Sequence, residues 1–268
     1  MKLNALPSPE ALLENVDLLC IPSSKDGMAV VYSDILAKVV PASTLPPLNE
    51  LITGKSGSCL LYGLWKDRRI KMLVCYDGEK MTEATAYTLS KKLAIRAKSE
   101  NTPNVGFGVH HLIHAGIIQS AVTGWTAGQY DLGLFKRTED ANVKNDQGTL
   151  HTHLPAGVDL SAAENGIILG LVQHEVMTLV NLPASHMSPE YLGHWAQRSA
   201  KNYKYTCEVF DKQKLTEMGM FALLAVNRGS EQPAQLVVTH YKHPEAKQKI
   251  VLIGKGVIFD TGGLSIKD

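Results

Sequence analysis

An apolar run, Ile250 to Ile253, feeds directly into GKGVIFDTGGLSIKD (Gly254 to Asp268), and this junction constrains the fold more than any other stretch of the chain. A short apolar run bounded by glycine reads as a buried strand. Past it, Gly254, Gly256, Gly262 and Gly263 surround Lys255, Asp260 and Lys267. Glycine allows positive φ and close approach to the main chain, at an entropic cost that a plain loop rarely bears so often. Two lysines and a carboxylate therefore fall just beyond the carboxyl end of a core strand, where open α/β sheets hold their ligands. The plainer alternative is a tight glycine turn with two solvated lysines.

Upstream, the pattern is that of an α/β chain. Apolar runs at Val16 to Ile21, Met28 to Tyr32, Cys59 to Leu64 and Ile70 to Tyr76 alternate with turns, the last closing at Asp77 and Gly78. A helix follows, with Thr82 as N-cap and Ala86, Leu89, Leu93 and Ala97 on one face. Asn104 to Val109 reads as a strand and Leu112 to Tyr130 as a helix. The polar stretch from Asp140 to Pro155 lacks periodicity and ends in proline, so it is the expected linker between domains spanning residues 1–155 and 156–268. Beyond it come a long helix over Ala162 to Val180 and a second with Ser188 as N-cap and Pro189 in its first turn. A strand at Tyr205 to Phe210, a short helix from Asp211 to Met218 closed by Gly219, and a strand at Gln235 to Tyr241 lead to the terminal motif.

Composition excludes several classes of function. With 268 residues, 44% apolar and a net charge of +1, the chain has enough sequence for a real core and no charge excess to attract a polyanion, so nucleic-acid binding is not expected. Acidic residues Glu10, Glu14 and Asp17 stand where a signal peptide would be apolar, and no apolar run approaches membrane-spanning length. A soluble, cytoplasmic protein is expected. The scattered cysteines Cys20, Cys59, Cys75 and Cys207 read as reduced core thiols.

Other motifs fail on inspection. TGKSGS around Lys55 has Asn49 where a phosphate loop needs its first glycine. The GxGxxG pattern begun by Gly106 and Gly108 breaks at His111. His110, His111 and His114 have no carboxylate or cysteine near in sequence and read as core or partly exposed imidazoles. His151 and His153 form an HxH pair that would face one way on a strand, but within a polar linker a surface reading is favoured. His174 and Glu175 do not complete HExxH, because residue 178 is Thr178.

Lys255, Asp260, the following Thr261-Gly262-Gly263 and Lys267 resemble the signature of the leucine aminopeptidase (cytosol aminopeptidase) family of two-metal exopeptidases. The likeness continues upstream through Val180, Asn181, Pro183 and Pro189 and the FALLAVNRGS run from Phe221 to Ser230, and so covers residues 160–268 in order. It implies an N-terminal α/β domain, followed by the first part of an α/β catalytic domain with a mixed central sheet, in a homohexamer acting on peptides. By the same resemblance, Lys255 is a metal ligand through a neutral amine, Asp260 a carboxylate touching both ions, and Lys267 the catalytic residue that polarises the peptide carbonyl. The cofactors implied are two divalent ions, zinc or manganese. An amine binds metal only when deprotonated, and a neighbouring dication favours that form. The family's remaining ligands lie further along, in an acidic position and an NTDAEGR-like motif that these residues do not contain, and Asp268 matches no ligand position. The chain is therefore expected to be the N-terminal portion of a longer enzyme, inactive alone. The alternatives are a non-catalytic relative serving as an assembly or DNA-binding module, and a nucleotide-binding domain using the GKG turn. The last predicts a helix after Gly263, where Leu264, Ser265 and Ile266 read as extended.

Overall fold

The structure, a computed structural model, describes residues 1–52, 54, 56–131 and 148–259. Asp260 and Lys267 of the expected site, the unassigned Asp268, Lys55 of the TGKSGS run and the first half of the expected linker lie outside the described residues. The chain divides into two compact units, Met1–Thr178 and Leu179–Asp268. The fold is mixed α/β, with a mostly parallel six-stranded sheet in the first unit.

That sheet is built from β1 (Lys2–Ala5), β2 (Leu18–Ser23), β3 (Ser56–Trp65), β4 (Arg68–Asp77), β5 (Val105–Gly108) and β6 (Thr149–His153), in the order β1-β6-β5-β2-β4-β3. Every pair is parallel except β3 with β4, which form an antiparallel hairpin. Around the sheet lie α1 (Pro9–Asn15), α2 (Lys25–Val31), α3 (Ala37–Val39), α4 (Leu48–Leu51), α5 (Glu83–Ser99), α6 (Ala115–Gly128) and α7 (Leu160–Asn181). A π-helical turn, Tyr32–Leu36, links α2 to α3.

The period of two along β2 and β4 sorts side chains to two cores. Leu18 and Cys20 on β2, with Leu73 and Cys75 on β4, face α5, α6 and α7. Leu19 and Ile21, with Met72 and Val74, face α1 and the helical run from α2 to α3. A sheet buried on both faces reads as continuous apolar runs, and β2 is buried at all six residues. Serine and threonine caps start the helices: Ser8 accepts from Ala11, Ser24 from Gly27 and Thr82 from Thr85. The run Met28 to Tyr32 is thus helical where alternation with turns suggested otherwise, because the Ser24 cap starts α2 and Met28, Val31 and Ile35 recur at helical spacing on its buried side.

Small residues set how closely the helices approach. A methyl on Gly128 would stand 2.6 Å from Ala94 Cβ, and one on Gly124 would meet the Tyr87 carbonyl, so α5 and α6 touch backbone to backbone. On the other side of α6, a methyl on Gly166 of α7 would stand 2.7 Å from the Gln119 carbonyl. Phe107 of β5 stacks on Trp125 of α6 at 4.7 Å between centroids. The described part of the expected linker is β6, which pairs with β1 and β5 and so belongs to the sheet.

The second unit holds α8 (Pro189–Tyr203), β7 (Thr206–Phe210), α9 (Lys212–Glu217), α10 (Phe221–Val226) and β8 (Leu236–His240), with β7 and β8 antiparallel. Ser188 caps α8 by accepting from Tyr191, and Asp211 caps α9 by accepting from Lys214. Gly219, at φ +69°, ends the α9 turn as its sequence position suggests. Ile250 to Ile253 is not the buried strand that its composition indicates. A strand exists by pairing, and among the described residues none pairs with this run, which leaves Leu252 91% and Ile253 95% exposed.

Gly124→Ala is expected to force α5 from α6 and cost about 1–3 kcal/mol, the range for overpacking a filled contact. Gly229→Ala, whose new methyl meets nothing within 4 Å, is expected to be near neutral. Urea denaturation followed by Trp125 fluorescence measures the difference.

Candidate functional site

Lys255 is the one expected site residue that lies among the described residues. It sits outside any helix or strand, between Gly254 and Gly256, and is exposed. Methyl groups added at either glycine would meet nothing within 4 Å, so the surrounding backbone is open to an approaching group. Asp260 and Lys267 follow outside the described residues. Among the described residues, no group of three or more His, Cys, Asp or Glu converges as a cation site.

The elements leading to Lys255 are firmly built. Gly193 lets α8 lie against the β7–β8 pair: a side chain there would collide with Gln235 and approach Val209 within 3.2 Å. Ala196 and Ala200 continue that buried face of α8. After α10, the Asn227 side chain closes the turn into β8, donating to the Gln232 carbonyl at 2.9 Å and accepting from the Ala234 amide at 3.1 Å.

Three of the histidines hold hydrogen-bond partners within the fold. Asn4 Nδ2 donates to His151 Nδ1 at 3.0 Å, and His153 Nδ1 donates to the Leu6 carbonyl at 2.8 Å. The HxH pair therefore faces one way on a strand, as its spacing allows, but half-buried and tied to β1 and the residue after it, not on a surface linker. His174 Nε2 donates to the Thr126 carbonyl at 2.6 Å, fastening α7 to α6.

His110 and His111 stand at a more telling place. The connection leaving β2 crosses the α1 side of the sheet and the one leaving β5 crosses the α6 side, so neighbouring β2 and β5 flank a topological switch point. In open α/β sheets such points hold ligands. His111 Nε2 donates to the Pro22 carbonyl at 2.7 Å, and the two rings meet edge to face at 5.3 Å. Both nitrogens of His110 and Nδ1 of His111 are shielded without a hydrogen-bond partner among the described residues. Burial pushes His110 down to about 4 and His111 down to about 3. Both rings are neutral at pH 7. The thiols are equally inert: burial pushes Cys75 up to about 11 and Cys20 higher still.

Comparison with known proteins places the terminal segment. Residues 175–268 match the catalytic domain of the cytosol aminopeptidase family. This part of the chain belongs to that family. A probable cytosol aminopeptidase of Chlorobaculum parvum is 48% identical over 117 residues, covering 41% of this chain and 23% of that protein. The probable cytosol aminopeptidase of Chlorobium luteolum is 29% identical over 279 residues, covering 94% of this chain and 54% of its own. Apo leucyl aminopeptidase from Trypanosoma cruzi superposes with a TM-score of 0.73 at 19% identity, over 100% of this chain and 54% of that structure. The bottromycin maturation enzyme BotP in complex with Mn gives 0.69 at 21% identity, over 94% of this chain and 50% of its own. The likeness to both structures is one of fold, and the chain spans about half the length of the relatives it matches along most of its sequence. No helix of the described residues is long and apolar enough to cross a membrane.

The two half-buried imidazoles, with shielded ring nitrogens, set an acid limit on stability. Their pKa is lowered on folding, so the unfolded chain binds more protons and stability falls as pH drops from about 6.5 towards 4 and 3. His110→Gln is expected to flatten this loss by on the order of 2 kcal/mol. Urea midpoints at pH 7, 5.5 and 4.5 test it: parallel curves for variant and parent would show that His110 does not titrate on unfolding.

Proposed function

We propose that the chain is part of a metal-dependent aminopeptidase that removes leucine-like N-terminal residues from peptides in the cytoplasm, assembled as a hexamer. The observation that carries this reading is the match of residues 175–268 to the catalytic domain, a span that contains Lys255, Asp260 and Lys267. The names of the relatives, probable cytosol aminopeptidases, support the activity and the compartment, and the Mn complex of BotP supports use of a divalent ion.

In this reading Lys255 and Asp260 hold divalent ions, zinc or manganese, through an amine and a carboxylate. The donor set suits such ions, and the open backbone around Gly254 and Gly256 leaves Lys255 room to reach one. When bound, the ions supply Lewis acidity at the scissile carbonyl. Lys267 keeps its proton and donates to the oxygen that gains charge as the carbonyl is attacked. An ammonium placed there stabilises the transition state more than the ground state, and so raises the turnover rate rather than affinity alone.

Two substitutions in the active enzyme separate these roles. Lys255→Met keeps side-chain length and removes the amine, so less metal is expected to survive dialysis while the far-ultraviolet circular dichroism spectrum stays unchanged. Equal metal by elemental analysis in parent and variant would remove Lys255 from the ligand set. Lys267→Ala is expected to retain metal and lose roughly 10²-fold in kcat on a leucine amide, the scale of one lost oxyanion donor. Normal turnover in that variant would exclude Lys267 from the chemistry.

A further inference from the structure

The β3–β4 hairpin extends past the rest of its sheet. Both strands have ten residues, whereas β2 has six and begins at Leu18, opposite Lys71. Arg68 to Ile70 and their partners Gly63 to Trp65 therefore overhang the neighbouring strand. The covering helix stops at the same level. Lys71 Nζ donates to the Glu100 carboxylate at 3.1 Å and to the Glu100 carbonyl at 3.5 Å, just past the end of α5. Residues opposed across an antiparallel pair project to one face. Leu60 and Leu73 are such a pair and pack into the core that α5 covers. Further toward the hairpin turn, Tyr62 with Lys71 and Leu64 with Arg69 share that face where the helix has ended. Tyr62 is accordingly 63% and Leu64 50% exposed.

A groove of about 590 Å³ opens there, within the first unit. Pockets for small organic ligands run from about 300 to 1,000 Å³. Tyr62, Leu64 and Pro41 supply apolar lining, and Asp17, Arg69 and Lys71 bring charge. Pro41 arrives because Gly63 has no side chain: a methyl on Gly63 would stand 2.5 Å from the Val39 carbonyl, so the chain leaving α3 packs directly on β3.

The charges decide what the groove can take. Lys71 is held by Glu100, while Asp17 lies 3.5 Å from Arg68 Nη1 and accepts from Asn104 Nδ2 at 2.8 Å. Of the three charged lining residues, only Arg69 has no ion pair or hydrogen bond among the described residues. One uncompensated positive charge beside apolar side chains suits one negative charge on an apolar body. At neutral pH a carboxylate carries a single charge and a phosphate monoester nearly two. The planar guanidinium also matches a carboxylate through two parallel N–H···O bonds.

We propose that this groove binds a small monocarboxylate with an apolar body, its carboxylate on Arg69 and its body across Tyr62 and Leu64. A neutral analogue is disfavoured, because it would cover the guanidinium without pairing it. The inference is independent of the peptidase reading, since every residue in it belongs to the first unit.

Isothermal titration calorimetry of the whole chain tests it with 2-naphthoate and octanoate, which separate an aromatic from an aliphatic body. Saturable binding of at least one acid is expected, with the corresponding alcohol, 2-naphthalenemethanol or 1-octanol, at least tenfold weaker. Arg69→Gln is expected to weaken the acid at least tenfold, to leave the alcohol unchanged and, because Arg69 is exposed, to keep the circular dichroism melt of the parent. Tyr62→Ala/Leu64→Ala is expected to weaken acid and alcohol alike. Arg228→Gln, exposed in the second unit, is expected to change neither. No binding of either acid to the parent, an acid affinity that Arg69→Gln leaves unchanged, or equal affinity for acid and alcohol would overturn the proposal.

Discussion

The adjacent parallel strands β2 and β4 hold the first unit together. Their alternation sends Leu18, Cys20, Leu73 and Cys75 to one face and Leu19, Ile21, Met72 and Val74 to the other. At about 1.5–3 kcal/mol for each fully buried aliphatic side chain, these positions on both faces outweigh any polar contact in the unit. The sheet can be covered on both sides only because its connections divide, the earlier ones crossing one face and the later ones the other. That division also creates the switch point where His110 and His111 sit. Packing and the location of a crevice thus come from one arrangement of strands.

Much of this arrangement was legible in the sequence where local chemistry and burial agree. Thr82, Ser188 and Asp211 mark helix starts by the bonds they make to the backbone, and all three make them in the fold. The strands around Cys20, Leu61, Leu73 and Phe107 are apolar because the sheet is covered by helices. Cys20 and Cys75 are buried as free thiols by the same covering.

What could not be read depends on partners distant in sequence. TLHTH looks like a polar linker, yet it is β6, because β1 and β5 supply its pairing and Asn4 and Leu6 satisfy its imidazoles. Thr152 makes the point well: a hydroxyl suggests solvent, but here it is fully buried and donates to the Phe107 carbonyl at 2.7 Å. The run Met28 to Tyr32 failed in the opposite sense, since apolar content alone does not separate a strand from a short buried helix. The buried state of His110 and His111 depends on β2 and β5 being neighbours, a fact of topology that no spacing within GVHHLIH records.

The terminal motif shows how chemistry and geometry separate. Lys255, Asp260 and Lys267 are identifiable by type and spacing, because metal ligation and oxyanion stabilisation demand those groups. Their placement is a different matter, since a working site must hold its groups to about half an ångström. The glycines that make room beside Lys255 also remove the side chains that would otherwise fix its backbone. Its position must then be set by the run before it, Ile250 to Ile253, whose apolar side chains call for pairing and packing. The most apolar run near the motif therefore bears on the site, because each partner it gains restricts Lys255.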